Sequence, residues 1–184
     1  MRNKQLHREA TRRSGSATWY AEIDSPVGML RLSATYAGLA GIEFQSGARQ
    51  TTVDPSWARE PGRFGSLIGQ LGEYFDGKRT DFDVELAPLG TQFQRAVWGE
   101  LRKIPFGTSI SYAELARRIG KPTAFRAVGA ANGANPWPIV VPCHRVIGSD
   151  RSLTGFGGGL DVKRRLLLLE AETSSADLLV PAGR

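Results

Sequence analysis

The chain has 184 residues, among them one cysteine and two histidines, and carries a formal net charge of +6. One cysteine excludes an internal disulfide, and with two histidines it cannot supply the usual four ligands of a structural zinc site. No apolar run approaches the ~20 residues that cross a bilayer, and the charged N-terminus lacks the apolar core of a signal peptide.

At 41% hydrophobic and 23% charged residues, the composition is that of an ordinary soluble protein. The expectation is a cytoplasmic, reduced chain built as one large domain or two small ones. The charge is uneven. Residues 1–16 hold Arg2, Lys4, Arg8, Arg12 and Arg13 against Glu9, net +4; residues 17–90 are net −4; residues 91–172 are net +6. An acidic front joined to a basic back suggests two domains, the second facing a polyanion, although chance variation in surface charge gives similar patterns.

Residues 1–16 show no apolar periodicity and read as a disordered basic tail. Residues 18–23 and 29–34 are β-like around the turn Asp24-Ser25-Pro26-Val27-Gly28, which predicts a hairpin. Residues 39–44 predict a third strand after Gly38. Residues 46–62, with Pro55 and Pro61, read as loop with some helix. From 64 to 75, Leu67, Leu71, Tyr74 and Phe75 fall on one helical face, and Gly77 closes that helix. Residues 81–86 predict one more short strand, which makes 17–87 a small α+β unit.

The second half, 88–172, is helical in character. Thr91-x-x-Gln94 is a capping box followed by Phe93, Val97, Leu101 and Ile104 at helical spacing, and Pro105-Phe106-Gly107 stops it. Ser111-x-x-Glu114 is a second capping box opening a helix over 112–119, with Gly120 as its C-cap and Pro122 as the break. Thr123 caps a third helix over 124–132. Residues 139–141 predict a short buried strand or extended run leading into Pro142-Cys143-His144-Arg145. A glycine-rich loop at 155–159 follows. Asp161 then caps a last helix over 162–172, and residues 173–184 remain as a tail.

Two constellations carry chemistry. The helices at 112–119 and 124–132 form a helix-turn-helix pattern. The second is built from small residues, Ala127, Gly129, Ala130 and Ala131, which suit close approach of a backbone and suit major-groove readout poorly. Arg126 is its one long charged side chain, and Arg117, Arg118 and Lys121 could meet phosphates. Two helices packed through small residues inside an enzyme would look the same.

The other constellation is Cys143. A reactive thiol needs a base or positive potential nearby. His144 is the only histidine outside the tail, but neighbouring side chains in a strand point to opposite faces. Contact between the two therefore requires a turn or a bridging water. Glu170, an acid among leucines, needs a partner if buried, and His144 is a natural one. The bland alternatives stand beside this reading: a lone cysteine acting as a small hydrophobe, and Glu170 as a solvated helix end.

The string Pro142-Cys143-His144-Arg145-Val146-Ile147 resembles the active-site motif of the O6-alkylguanine-DNA alkyltransferases. The likeness extends through Arg126-Ala127-Val128-Gly129-Ala130-Ala131 and Asn135-Pro136 upstream, and through residues 154–160 and Lys163 downstream. Asp24-Ser25-Pro26-Val27-Gly28 resembles the N-terminal hairpin of that family. The resemblance implies an α+β protein: a small N-terminal α/β domain of the ribonuclease H-like type and a mostly helical C-terminal domain with a helix-turn-helix.

It also implies direct, irreversible, single-use transfer of an alkyl group from O6-alkylguanine in double-stranded DNA to Cys143, after base flipping. Cys143 resembles the acceptor, His144 acting through water and Glu170 the relay that deprotonates it, and Tyr112 the hydroxyl that assists the leaving guanine. Arg126 resembles the finger that fills the gap in the stack. The implied DNA contacts come from Lys121, Thr123, Ala127, Gly129 and Ala130. Asn135, Pro138, Val146, Phe156, Gly157 and Gly158 surround the implied substrate pocket, with Asn135 as hinge and Pro138 and Phe156 as walls.

Some relatives carry a tyrosine at position 156 and a serine at position 157, so contacts from those hydroxyls are missing here. The zinc-binding cysteines and the phosphotriester-repair domain of other relatives are absent. No metal and no cofactor is expected, and a monomer is, with activity on O4-alkylthymine and cooperative binding along DNA left open. The rivals are a cysteine hydrolase, for which no separate sign of an oxyanion hole exists; a non-catalytic lesion sensor, a type that lacks the reactive cysteine; and a bare DNA-binding regulator.

Overall fold

The computed structural model describes residues 17–45 and 52–179. The segment 1–16, expected as a disordered tail, and residues 180–184 lie outside the described residues. Strands β1 (Trp19–Ile23) and β2 (Leu30–Thr35) form the predicted hairpin, with Trp19 opposite Ala34 and Ile23 opposite Leu30. Gly28, at φ 96°, closes its turn by donating to Ser25 O at 2.9 Å. β3 (Gly38–Phe44) pairs antiparallel with β2, and the two-residue β4 (Ala58–Arg59) pairs parallel with β1, giving the order β3-β2-β1-β4. A 3-10 turn (Pro61–Phe64) leads into α1 (Gly65–Phe75), whose Leu67, Leu71 and Tyr74 are buried in the core.

The strand predicted over 81–86 does not form. Only a single parallel bridge, Leu39 to Leu86, joins this segment to β3. The reason is local: the Gln70 side chain takes both backbone groups of Asp83, donating to its carbonyl at 2.9 Å and accepting from its N–H at 2.8 Å. Those groups are then satisfied without a ladder. Gly38 allows the close approach at the bridge, since a Cβ there would lie 2.5 Å from Glu85 O.

The C-terminal half contains α2 (Gln92–Leu101), α3 (Tyr112–Arg118), α4 (Phe125–Gly133) and α5 (Leu160–Leu179), together with the short parallel pair β5 (Ile110–Ser111) and β6 (Val146–Ile147). The Thr91/Gln94 capping box is complete. The second box is only half formed: Ser111 accepts from Glu114 N at 3.1 Å, while the Glu114 carboxylate is drawn instead to Arg117 and Arg118. Thr123 does not cap α4. The N-cap is Ala124, with no side-chain bond. α5 starts before Asp161 and continues past 172 to Leu179, so the expected tail begins as helix.

The two halves share one apolar core. Trp137 joins them: its indole N–H donates to Leu39 O at 2.7 Å, and its ring meets Trp98 edge-on at 5.3 Å. Such aromatic pairs contribute about 0.5–1.5 kcal/mol beyond area burial. Ile42 N donates to Pro136 O at 2.8 Å alongside.

Candidate active site

The segment ahead of the cysteine is a turn rather than the predicted strand or extended run. Ile139 sits there at φ 75°, a left-handed conformation that costs a β-branched residue on the order of 1–3 kcal/mol. The turn is over-determined. Asn135 donates from Nδ2 to Val141 O at 2.8 Å and accepts at Oδ1 from Trp137 N at 3.0 Å, while Val141 N donates to Trp137 O at 2.8 Å. Ile139 itself is buried. Residues Cys143–Arg145 then form one turn of 3-10 helix. That turn resolves the strand-geometry difficulty, because Cys143 and His144 no longer sit on opposite faces of a pleat.

Behind Cys143 lies a buried polar cluster centred on Glu170, which is fully buried on α5. His144 Nε2 lies 2.8 Å from Glu170 Oε1. Arg145 donates to both carboxylate oxygens at 2.9 Å and to Ile104 O at 2.6 Å. Tyr74 OH donates to Oε1 at 2.8 Å, and Gly107 N donates to Oε2 at 3.1 Å. An ionised carboxylate only accepts, so Nε2 is the donor and a neutral His144 keeps Nδ1 as its acceptor. Nδ1 is buried and has no hydrogen-bond partner among the described residues.

Burial opposes the Glu170 charge, but the hydrogen bonds and charges of His144 and Arg145 overcome it and hold the carboxyl at about 2. Burial lowers the His144 pKa despite the pull of Glu170, and Arg145 and Lys163 add to the lowering. The imidazole is therefore neutral at pH 7. Burial also pushes the Cys143 thiol up to about 11, against smaller opposing effects from Asn135, the Lys163 ammonium and backbone N–H groups. A thiol in that range is protonated at neutral pH and needs a base as it reacts.

Lys163 is fully buried, with Nζ donating to Val146 O at 2.6 Å and Thr154 O at 2.7 Å. Burial brings its pKa down to about 8. Burial raises the Tyr112 phenol, and the nearby Cys143 thiol adds to the rise, so this half-buried hydroxyl stays a proton donor.

The thiol faces a cavity of about 160 Å³ lined by Asn132, Asn135, Pro138, Phe156 and Gly157, and by Ile42, Glu43 and Phe44 of β3. Val146 and Gly158 do not line it. Val146 is fully buried with its carbonyl turned to Lys163, and Gly158 packs on Phe44, whose ring a Cβ would approach to 2.8 Å. Arg126, Ala127 and Ala130 lie on the exposed face of α4, with Lys121 and Thr123 exposed in the turn before it. Gly129 faces the Tyr112 ring, with a Cβ there at 3.8 Å.

Reasoning along the sequence missed the Tyr74, Arg145 and Gly107 contacts to Glu170, the Lys163 clamp, and the β3 wall. One signal for Tyr74 was available: a hydroxyl on the inward face of a helix must find a partner.

A buried cysteine with a neutral base behind it and a small cavity in front suits a cysteine-dependent group-transfer protein. Comparison with known proteins agrees. The family described as 6-O-methylguanine DNA methyltransferase, DNA binding domain, matches residues 92–172, and the ribonuclease-like domain of the same methyltransferase matches residues 18–88. The methylated-DNA–protein-cysteine methyltransferase of Mycolicibacterium paratuberculosis is 48% identical over 162 residues, covering 86% of this chain and 96% of the relative. That of Methanosarcina acetivorans is 46% identical over 152 residues, covering 83% and 97%. The crystal structure of Mycobacterium tuberculosis OGT in complex with DNA superposes with a TM-score of 0.78 at 48% identity, covering 87% of this chain and 97% of that one. The chain belongs to this family, the O6-alkylguanine-DNA alkyltransferases, and is a DNA-repair methyltransferase.

Proposed function

We propose that the protein removes an alkyl group from O6 of guanine in duplex DNA by transferring it once, irreversibly, to Cys143. The observation that carries this reading is the cluster of Cys143, His144 and Glu170 behind a cavity of about 160 Å³. His144 Nδ1 takes the thiol proton through a water, and Glu170 steadies the imidazolium that forms. The sulfur attacks the alkyl carbon, an S–C bond forms, and the C–O6 bond breaks with its electron pair going to the purine. Tyr112 assists by donating a hydrogen bond as the purine gains charge. The product is a thioether, a poor leaving group, so each chain acts once.

A purine inside a duplex cannot reach this cavity. The nucleotide must be rotated out of the stack, at a cost of roughly a few kcal/mol. α4 presents Arg126 beside small residues, an arrangement suited to close approach in the minor groove and to filling the gap in the stack. Asn135 holds the turn that carries Pro138, which with Phe156 walls the bound purine. The same reading takes the protein to act as a monomer in the cytoplasm. Among the described residues no helix is long and apolar enough to cross a membrane.

Mass spectrometry of the Cys143 peptide after incubation with duplex DNA containing O6-methylguanine is the direct test. One methyl group per chain on Cys143 is expected, and an unmodified peptide beside unrepaired DNA defeats the reading. A cysteine hydrolase would instead show multiple turnovers on an ester substrate.

Arg126→Ala tests the extrusion step. It should slow repair of duplex DNA by about 10- to 100-fold, the equivalent of losing a few kcal/mol of support for the flipped state, while leaving reaction with free O6-benzylguanine unchanged. Equal losses on both substrates would remove the finger role. Duplex affinity should fall steeply with salt if phosphates supply most of it.

A further inference from the structure

We propose that Tyr74, on helix α1 of the N-terminal half, is a positioning residue of the alkyl-transfer site: its hydroxyl shares Glu170 Oε1 with His144 Nε2 and so weakens the pull of that oxygen for a proton on the relay histidine, which stays neutral with Nδ1 as its acceptor. This rests on the transfer reading above and adds a role for the N-terminal domain within it.

The contact is direct. Tyr74 is fully buried, and its OH donates to Oε1 at 2.8 Å across 96 residues of sequence. The phenol ring is held by Phe75, Phe82 and Phe106 at 5.4, 5.5 and 5.9 Å between centroids, the first and last edge-on, so the hydroxyl has little freedom to leave. Burial first, and the carboxylate second, keep the phenol protonated far above neutral pH. It therefore donates under all conditions in which the enzyme works.

The groups facing Glu170 are His144, Arg145, Tyr74 and the Gly107 N–H, and Lys163 acts on His144 from the same helix. Arg145 reaches both oxygens, but only Oε1 serves His144. Each donor on that oxygen withdraws charge that would otherwise hold a proton on the imidazole. Without the Tyr74 hydroxyl, Oε1 is a stronger acceptor, His144 becomes more basic, and more of it is already protonated near neutrality. A protonated His144 cannot accept the thiol proton.

The test compares wild type, Tyr74→Phe and Leu67→Ala. Leu67 is a buried core residue of the same helix with no polar contact to the cluster. The readout is the rate of Cys143 alkylation by free O6-benzylguanine from pH 5.5 to 8.5, with circular dichroism and thermal unfolding as checks of the fold. In Tyr74→Phe the acid limb should move to higher pH, so that the rate drops about three- to fivefold at pH 6 and stays within about 1.5-fold of wild type at pH 8. Leu67→Ala should lower the unfolding temperature and leave the shape of the profile unchanged. Superimposable profiles for Tyr74→Phe and wild type would overturn the proposal. So would a pH-independent loss that Leu67→Ala reproduces. If wild type itself leaves Cys143 unmodified, the transfer reading fails instead, and the two failures are distinct.

Discussion

Cys143→Ser is expected to abolish alkyl transfer, by on the order of 10⁴-fold or more, while leaving duplex DNA affinity unchanged. Serine preserves the size of a side chain that is buried at the start of the 3-10 turn, so the turn and the cavity survive. What disappears is the nucleophile. A hydroxyl is far harder to deprotonate than a thiol, and its oxygen is a weaker nucleophile toward saturated carbon. The neutral imidazole of His144 cannot bridge that difference. Cys143 is the only cysteine of the chain, so no other thiol can replace it. Single-turnover assays on duplex DNA and gel-shift titrations separate the two properties. Residual transfer within tenfold of wild type would mean that the acceptor is another residue, and loss of DNA binding would mean that the substitution damages the fold.

Glu170→Gln is expected to cost both stability and rate. The carboxylate is the sole anion among Arg145, His144 and Tyr74 in a buried site. Removing one partner of a buried ion pair costs about 3–5 kcal/mol, which lowers the unfolding temperature by on the order of 10 °C in a protein of this size. The rate of Cys143 alkylation should fall on the order of 100- to 10⁴-fold, because the imidazolium formed during transfer loses its counter-charge. The double variant Glu170→Gln/Arg145→Met should recover much of the stability and none of the rate. Recovery of both would show that Glu170 serves the fold alone. An unfolding temperature close to wild type for Glu170→Gln would sink the ion-pair account.

The same cluster sets an acid limit. Glu170 is held at about 2 in the folded protein, against an ordinary value of 4.5. A carboxyl whose folded value is depressed contributes stability that is complete above the unfolded value and is lost as the pH falls through the folded one. That contribution, roughly 3 kcal/mol, should therefore decline between pH 4.5 and 2. Chemical denaturation at pH 5 and pH 3 should show the loss in wild type and a smaller one in the double variant.

Much of the site was legible in the amino-acid order. Thr91 and Gln94, at capping-box spacing, do close that box, and Asp24-Ser25-Pro26-Val27-Gly28 does turn the first hairpin, because caps and turns are satisfied within a few residues. Local order failed where a distant or competing group took over. Gln70 removed the backbone groups of Asp83 from any ladder, Arg117 and Arg118 drew Glu114 away from its box, and Asn135 folded 139–141 into a turn. Val146 and Gly158 were expected in the pocket. Lys163 and Phe44 hold them behind it, and neither contact follows from spacing.

By itself, the sequence determined the elements, the basic character of the second half and the identity of the single thiol, since each depends on residues close together in the chain or on composition. Tertiary structure decided how that thiol is served. A buried carboxylate must collect enough donors to stay charged, and those donors come from Tyr74, Gly107, His144 and Arg145, which only folding brings to one point. The wall of the cavity opposite Cys143 comes from β3 of the other domain for the same reason: enclosing a small volume takes surfaces from several sides, and neighbouring residues supply only one.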